Sequence, residues 1–305
     1  MKSLAYVCVV ASITACASTG DDGTLDDEQD SSSTVYVNIM DFQSTDQGAW
    51  YDLVRKLNSE FVATGASVTP LTFFCSVSSK VGRVKDCAWT FTTAQSAVDS
   101  HTAALQVDAV TYQCHVHPNT TAPKLIALLQ SSDDAIHATL PGTGSIADTF
   151  ADCFEHPIGG TPLTASSAAP LTYVEASAYY TTTANQAKWT ASYAALEDGF
   201  DNICGDTFCS SDFSDLQSLD FSCVITKSSG NVKSCAWTFG GSYTTVNKSG
   251  TLALVSKTWT CPVAVSGTIS QLVTTLTSAN TEDGIHRALP GGTSAYDSIA
   301  GCVAR

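Results

Sequence analysis

The chain repeats itself, cysteine for cysteine, and that constrains it more than any other feature. Phe74-Cys75, then Val84-Lys85-Asp86-Cys87-Ala88-Trp89-Thr90-Phe91, returns as Ser222-Cys223, then Val232-Lys233-Ser234-Cys235-Ala236-Trp237-Thr238-Phe239, 148 positions on. Downstream, Cys114 matches Cys261, Ile136-His137 with Leu140-Pro141-Gly142 matches Ile285-His286 with Leu289-Pro290-Gly291, and Cys153 matches Cys302. Upstream, Trp50 pairs with Trp189 and Phe61 with Phe200, 139 positions on. The second copy therefore carries an insertion of roughly nine residues between Phe200 and Cys223, and Cys204 and Cys209 fall inside it. A unit of roughly 130 residues used twice is the size of a domain.

Within each copy the spacing of apolar residues alternates between two periods. Val35 to Phe42 reads as a strand. Trp50, Leu53, Val54, Leu57 and Phe61 have the 3.6-residue spacing of an amphipathic helix over Trp50 to Val62. Leu71, Phe73, Cys75 and Val77, then Cys87, Trp89 and Phe91, alternate as two strands of a hairpin, and a further strand puts Val110, Tyr112, Cys114 and Val116 on one face. Placing Cys75 across from Cys87 leaves a three-residue loop, Lys80-Val81-Gly82, with Ser228-Ser229-Gly230 its counterpart. Pro123 suits the first turn of a helix running to Gln130. Asp133 or Asp134 would cap a second short helix ended by Pro141-Gly142, and Ser145 a third that carries Cys153. The expectation is an α+β fold: two modules, residues 34–154 and 171–305, each an antiparallel sheet with helices on one face. Residues 155–170, rich in Gly, Pro, Ser, Thr and Ala, read as the linker.

The first residues read as an address. Lys2 and an apolar run from Leu4 to Ala15, too short to span a bilayer as a mature helix, make residues 1–15 a signal peptide. Ile13-Thr14-Ala15-Cys16 closes that run and resembles the lipobox of bacterial lipoproteins, a resemblance confined to the first twenty residues. It implies cleavage before Cys16, lipidation of its thiol and attachment to the outer membrane or cell surface. Ala15 and Ala17 also form an Ala-x-Ala site, and cleavage after Ala17 would give a plainly secreted protein. In residues 16–33 the acids Asp21, Asp22, Asp26, Asp27, Glu28 and Asp30 stand among Ser, Thr and Gly, so little apolar surface offsets the entropy of ordering, and the segment reads as a flexible tether.

Of 12 cysteines, Cys8 leaves with the signal and Cys16 carries the lipid, leaving ten, an even number that in an exported chain reads as disulfides. No close Cys-x-x-Cys pair points to zinc. Hairpin register pairs Cys75 with Cys87 and leaves Cys114 for Cys153; by repetition Cys223 pairs with Cys235 and Cys261 with Cys302, and Cys204 with Cys209 closes a small loop in the insertion. A slipped hairpin would let Cys87 reach Cys153 instead.

The charge balance, Lys+Arg 14 against Asp+Glu 29 for a net of −15, disfavours nucleic acid as a partner. The one membrane contact expected is through the N-terminal lipid; a protein or glycan partner has no signature, and no cofactor is indicated. Candidate chemistry is sparse. Asp134 precedes His137 by three residues, as Asp283 precedes His286, so on a helical turn carboxylate and imidazole can meet and the imidazole can serve as a base. With Ser145 or Ser294 a catalytic triad can be sketched, but no Gly-x-Ser-x-Gly elbow is present, and the same residues suit helix caps with the histidine packed beneath the Leu-Pro-Gly turn. His115 and His117 flank Val116 on one strand face, a usable metal geometry that His101 could join, on the face opposite Cys114 and toward solvent; the second copy has Pro262 and Ala264 there. Asp201, Asp206, Asp212, Asp215 and Asp220 surround the small cystine, without the spacing of a calcium loop. The leading expectation is a non-catalytic envelope or surface lipoprotein, a binding or structural module. An envelope hydrolase using the Asp-His pairs, and an extracellular inhibitor or adhesin presenting the Cys204–Cys209 loop, are the alternatives.

Overall fold

In a computed structural model, residues 34–160, 163, 172–207, 213, 215–278 and 284–303 are described. The first module runs β1 (Tyr36–Asn38), α1 (Gln47–Ala63), β2 (Thr69–Ser78), β3 (Val84–Val98), β4 (Leu105–Val116), α2 (Ala122–Ser131) and α3 (Phe150–Glu155). The second runs β5 (Tyr173–Glu175), α4 (Ala176–Tyr179), α5 (Thr183–Thr207), β6 (Gln217–Thr226), β7 (Val232–Val246), β8 (Leu252–Val263), α6 (Ile269–Thr277) and α7 (Ala295–Val303). Each forms a four-stranded antiparallel sheet in chain order, β1-β2-β3-β4 and β5-β6-β7-β8. The fold is the α+β tandem that the repeat predicts.

The hairpins show why the copies agree. Cys75 stands across from Cys87 and Cys223 from Cys235, and each pair is bonded. The loop differs from expectation: Val77 pairs with Val84, so Lys85 is bulged out, and the connection is the four residues 79–82. Ile225 pairs with Val232 in the same way, bulging Lys233. Gly82 and Gly230 sit at φ +65° and +71°, and each lies under an aromatic ring, of Phe42 and Tyr179, that a side chain would strike. On the returning strands Trp89 and Phe91 point inward with ring centroids 4.8 Å apart, as do Trp237 and Phe239. Phe61 of α1 and Phe200 of α5 close onto Phe91 and Phe239 at 4.6 and 4.7 Å. A second cystine, Cys114–Cys153 or Cys261–Cys302, ties the last helix to the last strand.

Several local expectations are corrected. The first strand stops at Asn38, whose side chain accepts the Met40 N–H at 2.9 Å and turns the chain into a 3-10 turn, Ile39–Asp41. Helix α1 begins at Gln47, where Asp46 accepts the Ala49 N–H at 3.0 Å. The short helix expected after Asp133 is only a turn, because Glu60 of α1 takes the N–H groups of Ala135 and Ile136 at 2.7 and 3.1 Å. Linker residues Ile158 and Gly159 add to the β4 edge by bonding Thr111 at 2.8 and 3.0 Å. In the second copy α5 has 25 residues against 17 in α1, starting one turn earlier and running on into the insertion.

The sheet faces turned away from the helices are not solvated; they pack against each other. Ser76, Thr90 and Thr92 of one module and Ser222 and Thr238 of the other are buried, and the Ser222 hydroxyl donates to Ser96 at 2.7 Å. Small hydroxyl side chains let the sheets approach closely: a methyl group on Gly240 would stand 3.1 Å from Thr92 Cγ2. The contacts are reciprocal. The β3–β4 turn of the first module places the Ser100 carbonyl to accept the N–H groups of Thr172 and Tyr173, at the head of β5, at 3.2 and 3.1 Å. The β7–β8 turn of the second places Gly250 against Tyr36 of β1, so close that an added Cβ would stand 2.7 Å from the ring, and its carbonyl accepts the Ser76 hydroxyl. Each module grips the first strand of the other with the same turn, the pattern of an isologous interface.

Candidate functional site

The Asp-His pair sits on the turn that Glu60 holds. Two captured amides fix Ala135 and Ile136 inward, both buried, and on so tight a turn the next side chain faces out. His137 Nδ1 lies 2.9 and 3.0 Å from the two Asp134 oxygens, with the side chains 59% and 60% exposed. The hydrogen bond from His137 holds the Asp134 carboxyl below the usual range. The Ser145 N–H donates to Asp148 at 2.7 Å while its hydroxyl accepts from the Asp148 N–H at 3.3 Å, the reciprocal arrangement of a helix cap. Ser294 and Asp297 repeat it at 3.1 and 3.0 Å. In the second copy Gly199 replaces Glu60 and Ile285 packs directly on it; His286 is exposed, its ring centroid 4.4 Å from that of Tyr296. Asp283 lies outside the described residues. Neither histidine packs beneath its Leu-Pro-Gly turn as expected, because the adjacent isoleucine occupies the inward position. What the first copy presents is a carboxylate-imidazole pair in open solvent, able to exchange protons, with no hydrogen bond from His137 to a serine among the described residues.

His115 at the end of β4 and His117 just beyond it project to one side as the alternation requires, but toward a buried acid. Their Nδ1 atoms stand 3.0 and 3.4 Å from one oxygen of Asp86 on β3, whose side chain is 4% exposed against 35% and 66% for the imidazoles. The second Asp86 oxygen accepts the Leu252 N–H of the other module at 3.1 Å. Burial raises the Asp86 carboxyl, but the His115 hydrogen bond, the Leu252 N–H and the two imidazolium charges outweigh it, and the net shift is downward. The face expected in solvent is thus partly covered by the module seam. His101 lies at the opposite end of β4, in the β3–β4 turn, its N–H bonded to Asp99. Among the described residues no group of three or more His, Cys, Asp and Glu side chains is arranged to hold a metal ion.

The acids of the insertion separate. Asp201 is exposed on α5, whereas Asp215 and Asp220 turn into the seam. Asp215 accepts the N–H and hydroxyl of Ser242 at 2.7 and 2.6 Å and the hydroxyl of Thr72, and Asp220 bonds Ser222. Burial pushes both carboxyls up despite these bonds. Cys204 is disulfide-bonded; Cys209, its expected partner, lies outside the described residues, as do Asp212 and the lipidation candidate Cys16.

Sequence reasoning missed Asp86, Glu60 and the inward turn of Asp215. A signal existed for Asp86. An aspartate inside a strand is disfavoured unless something there needs it, and the second copy has Ser234 at the matching place. Four cystines place the folded body in an oxidising environment, and among the described residues no helix is long and apolar enough to cross a membrane. No protein-family description, characterised protein or solved structure matches this chain.

Proposed function

We propose that the chain is a non-catalytic lipoprotein of the cell envelope or surface, held to the membrane by lipid on Cys16 and acting through the rigid face of its two fused modules. The observation that carries this reading is the use made of the polar residues common to both copies. Ser145 with Asp148, and Ser294 with Asp297, are spent on closing helix ends, so the hydroxyls a triad would need are already engaged. The cystines and the hydroxyl-lined seam serve rigidity. The Leu4-to-Ala15 apolar run, Cys16 and the acidic segment after it supply the anchor and the spacer.

Mass spectrometry of the N-terminal peptide, from protein purified out of the native membrane, tests the anchor: a diacylglyceryl group on Cys16 is expected, and an unmodified terminus at Ser18 overturns it. Incubation with a fluorophosphonate probe tests the second half. No labelling is expected, and stoichiometric labelling of Ser145 or Ser294 that His137→Ala or His286→Ala abolishes would instead establish the hydrolase.

A further inference from the structure

Strand β1 pairs only with Ser76–Ser78, so the earlier part of β2 has no neighbour on that side among the described residues. Between this edge, α1 and the second module lies a cleft of about 270 Å³. Its walls are aromatic. Tyr51 of α1, Phe74 of β2 and Tyr243 of β7 of the other module stand at its surface, backed by the buried Trp50 of α1 and Phe73 of β2. Trp50 stacks on Phe73 with centroids 5.7 Å apart. Asp215 is the single charged residue lining the cleft, and the donors that hold it, Ser242 and Thr72, are neutral. Among the described residues no Lys, Arg or His forms an ion pair with it.

We propose that this cleft binds a small organic cation, an alkylammonium or quaternary ammonium group, between the aromatic rings and the Asp215 carboxylate. The faces of aromatic rings carry negative charge density and attract cations, most strongly where water is excluded. A carboxylate drawn out of water without a countercharge is unfavourable, and burial here pushes Asp215 up, so an entering cation relieves a cost already present. A ligand with methyl groups around its charge satisfies both walls at once. An anion would meet the carboxylate with repulsion, and a neutral ligand would leave it uncompensated. The volume lies near the lower end of ligand sites, roughly 300 Å³, which favours a head group of few atoms over a polymer. The site belongs to one side of the repeat only: Thr190 and Ser222 stand where the first copy has Tyr51 and Phe74.

A purely structural role for Asp215, fastening β7 to β2, needs only hydrogen-bond acceptance. Asp215→Asn keeps much of that and removes the charge. The test is calorimetric titration of the full-length protein with choline and with its neutral carbon isostere 3,3-dimethylbutan-1-ol. Choline is expected to bind saturably, the isostere about tenfold more weakly, and Asp215→Asn to lose about tenfold toward choline while leaving the isostere unchanged. Tyr51→Ala, at an exposed position where folding is not at stake, should also weaken choline. Absence of a saturable response at millimolar choline, or equal affinity for the two ligands, overturns the proposal. If Asp215→Asn does not fold, the two-ligand comparison in the unaltered protein and Tyr51→Ala decide alone. The inference is independent of the anchor, since the N-terminal peptide can prove unmodified while the cleft binds, or the reverse.

Discussion

Asp86 and Leu252 stand 166 positions apart, yet a carboxylate oxygen of the first accepts the N–H of the second at 3.1 Å across the module seam. That bond makes the seam sensitive to acid. The folded-state pKa of Asp86 is depressed, so its contribution to stability is complete above the unfolded value and is lost as pH falls through the folded one. The unfolded protein should therefore gain ground below about pH 4, and Asp86→Asn should remove part of this pH dependence. At neutral pH Asp86→Ala should cost about 1–3 kcal/mol in urea unfolding, because it strands a buried donor.

Asp220 responds with the opposite sign. Burial raises its carboxyl, so the group favours the folded state while protonated and that contribution disappears as pH rises through the folded value. Asp220→Asn, which can still bond Ser222 and Ser96, should gain stability relative to the unaltered chain between pH 4 and pH 7. A constant difference across that range, measured by denaturant midpoints, would contradict the burial argument.

Trp89 and Trp237 form a matched pair within one molecule. Trp237 Nε1 donates to Ser218 at 2.9 Å, whereas Trp89 Nε1 is buried without a partner, since Pro70 occupies the matching place. Replacing either by Phe removes similar apolar volume. Trp237→Phe should nevertheless cost about 1 kcal/mol more than Trp89→Phe, the worth of one hydrogen bond, and equal losses would mean that the bond contributes nothing.

The cystines differ in the ring they close. Cys75–Cys87 spans 12 positions and Cys114–Cys153 spans 39. On chain entropy alone their removal by paired Cys→Ser substitution should cost about 3 and about 4 kcal/mol. Only the second should also free α3 from β4, which hydrogen exchange at residues 150–155 will register.

Side chains facing the helices were legible in the sequence, and those facing the seam were not. Cys75, Trp89 and Cys114 announce their face because apolar alternation is a local signal with one interpretation. Ser76, Thr90, Thr92 and Ser222 alternate just as regularly, but a hydroxyl face reads as solvated, and nothing within one copy says that the other copy covers it. Asp215 and Asp220 read as members of an acidic loop for the same reason. Glu60 was invisible as a cap because the amides it binds lie 75 residues further on. His115 and His117 stand out by their spacing, but spacing along one strand does not show that Asp86 of the neighbouring β3 lies against them.

Reciprocal gripping of first strands is the geometry of a homodimer, here fused into a single polypeptide. Fusion makes the effective concentration of the partner independent of dilution. It has a subtler effect on what substitutions can do. In a homodimer every change arrives twice, related by the symmetry axis, so a lone carboxylate facing a lone aromatic wall cannot arise without its mirror. Covalent duplication lifts that restriction: Asp86 can face Leu252 while Ser234 stands in its place on the other copy, and Phe74 can line the Asp215 cleft while Ser222 holds the matching position. The asymmetry lets the cleft beside Asp215 form on one module without an obligatory counterpart on the other, a freedom that a symmetric homodimer lacks.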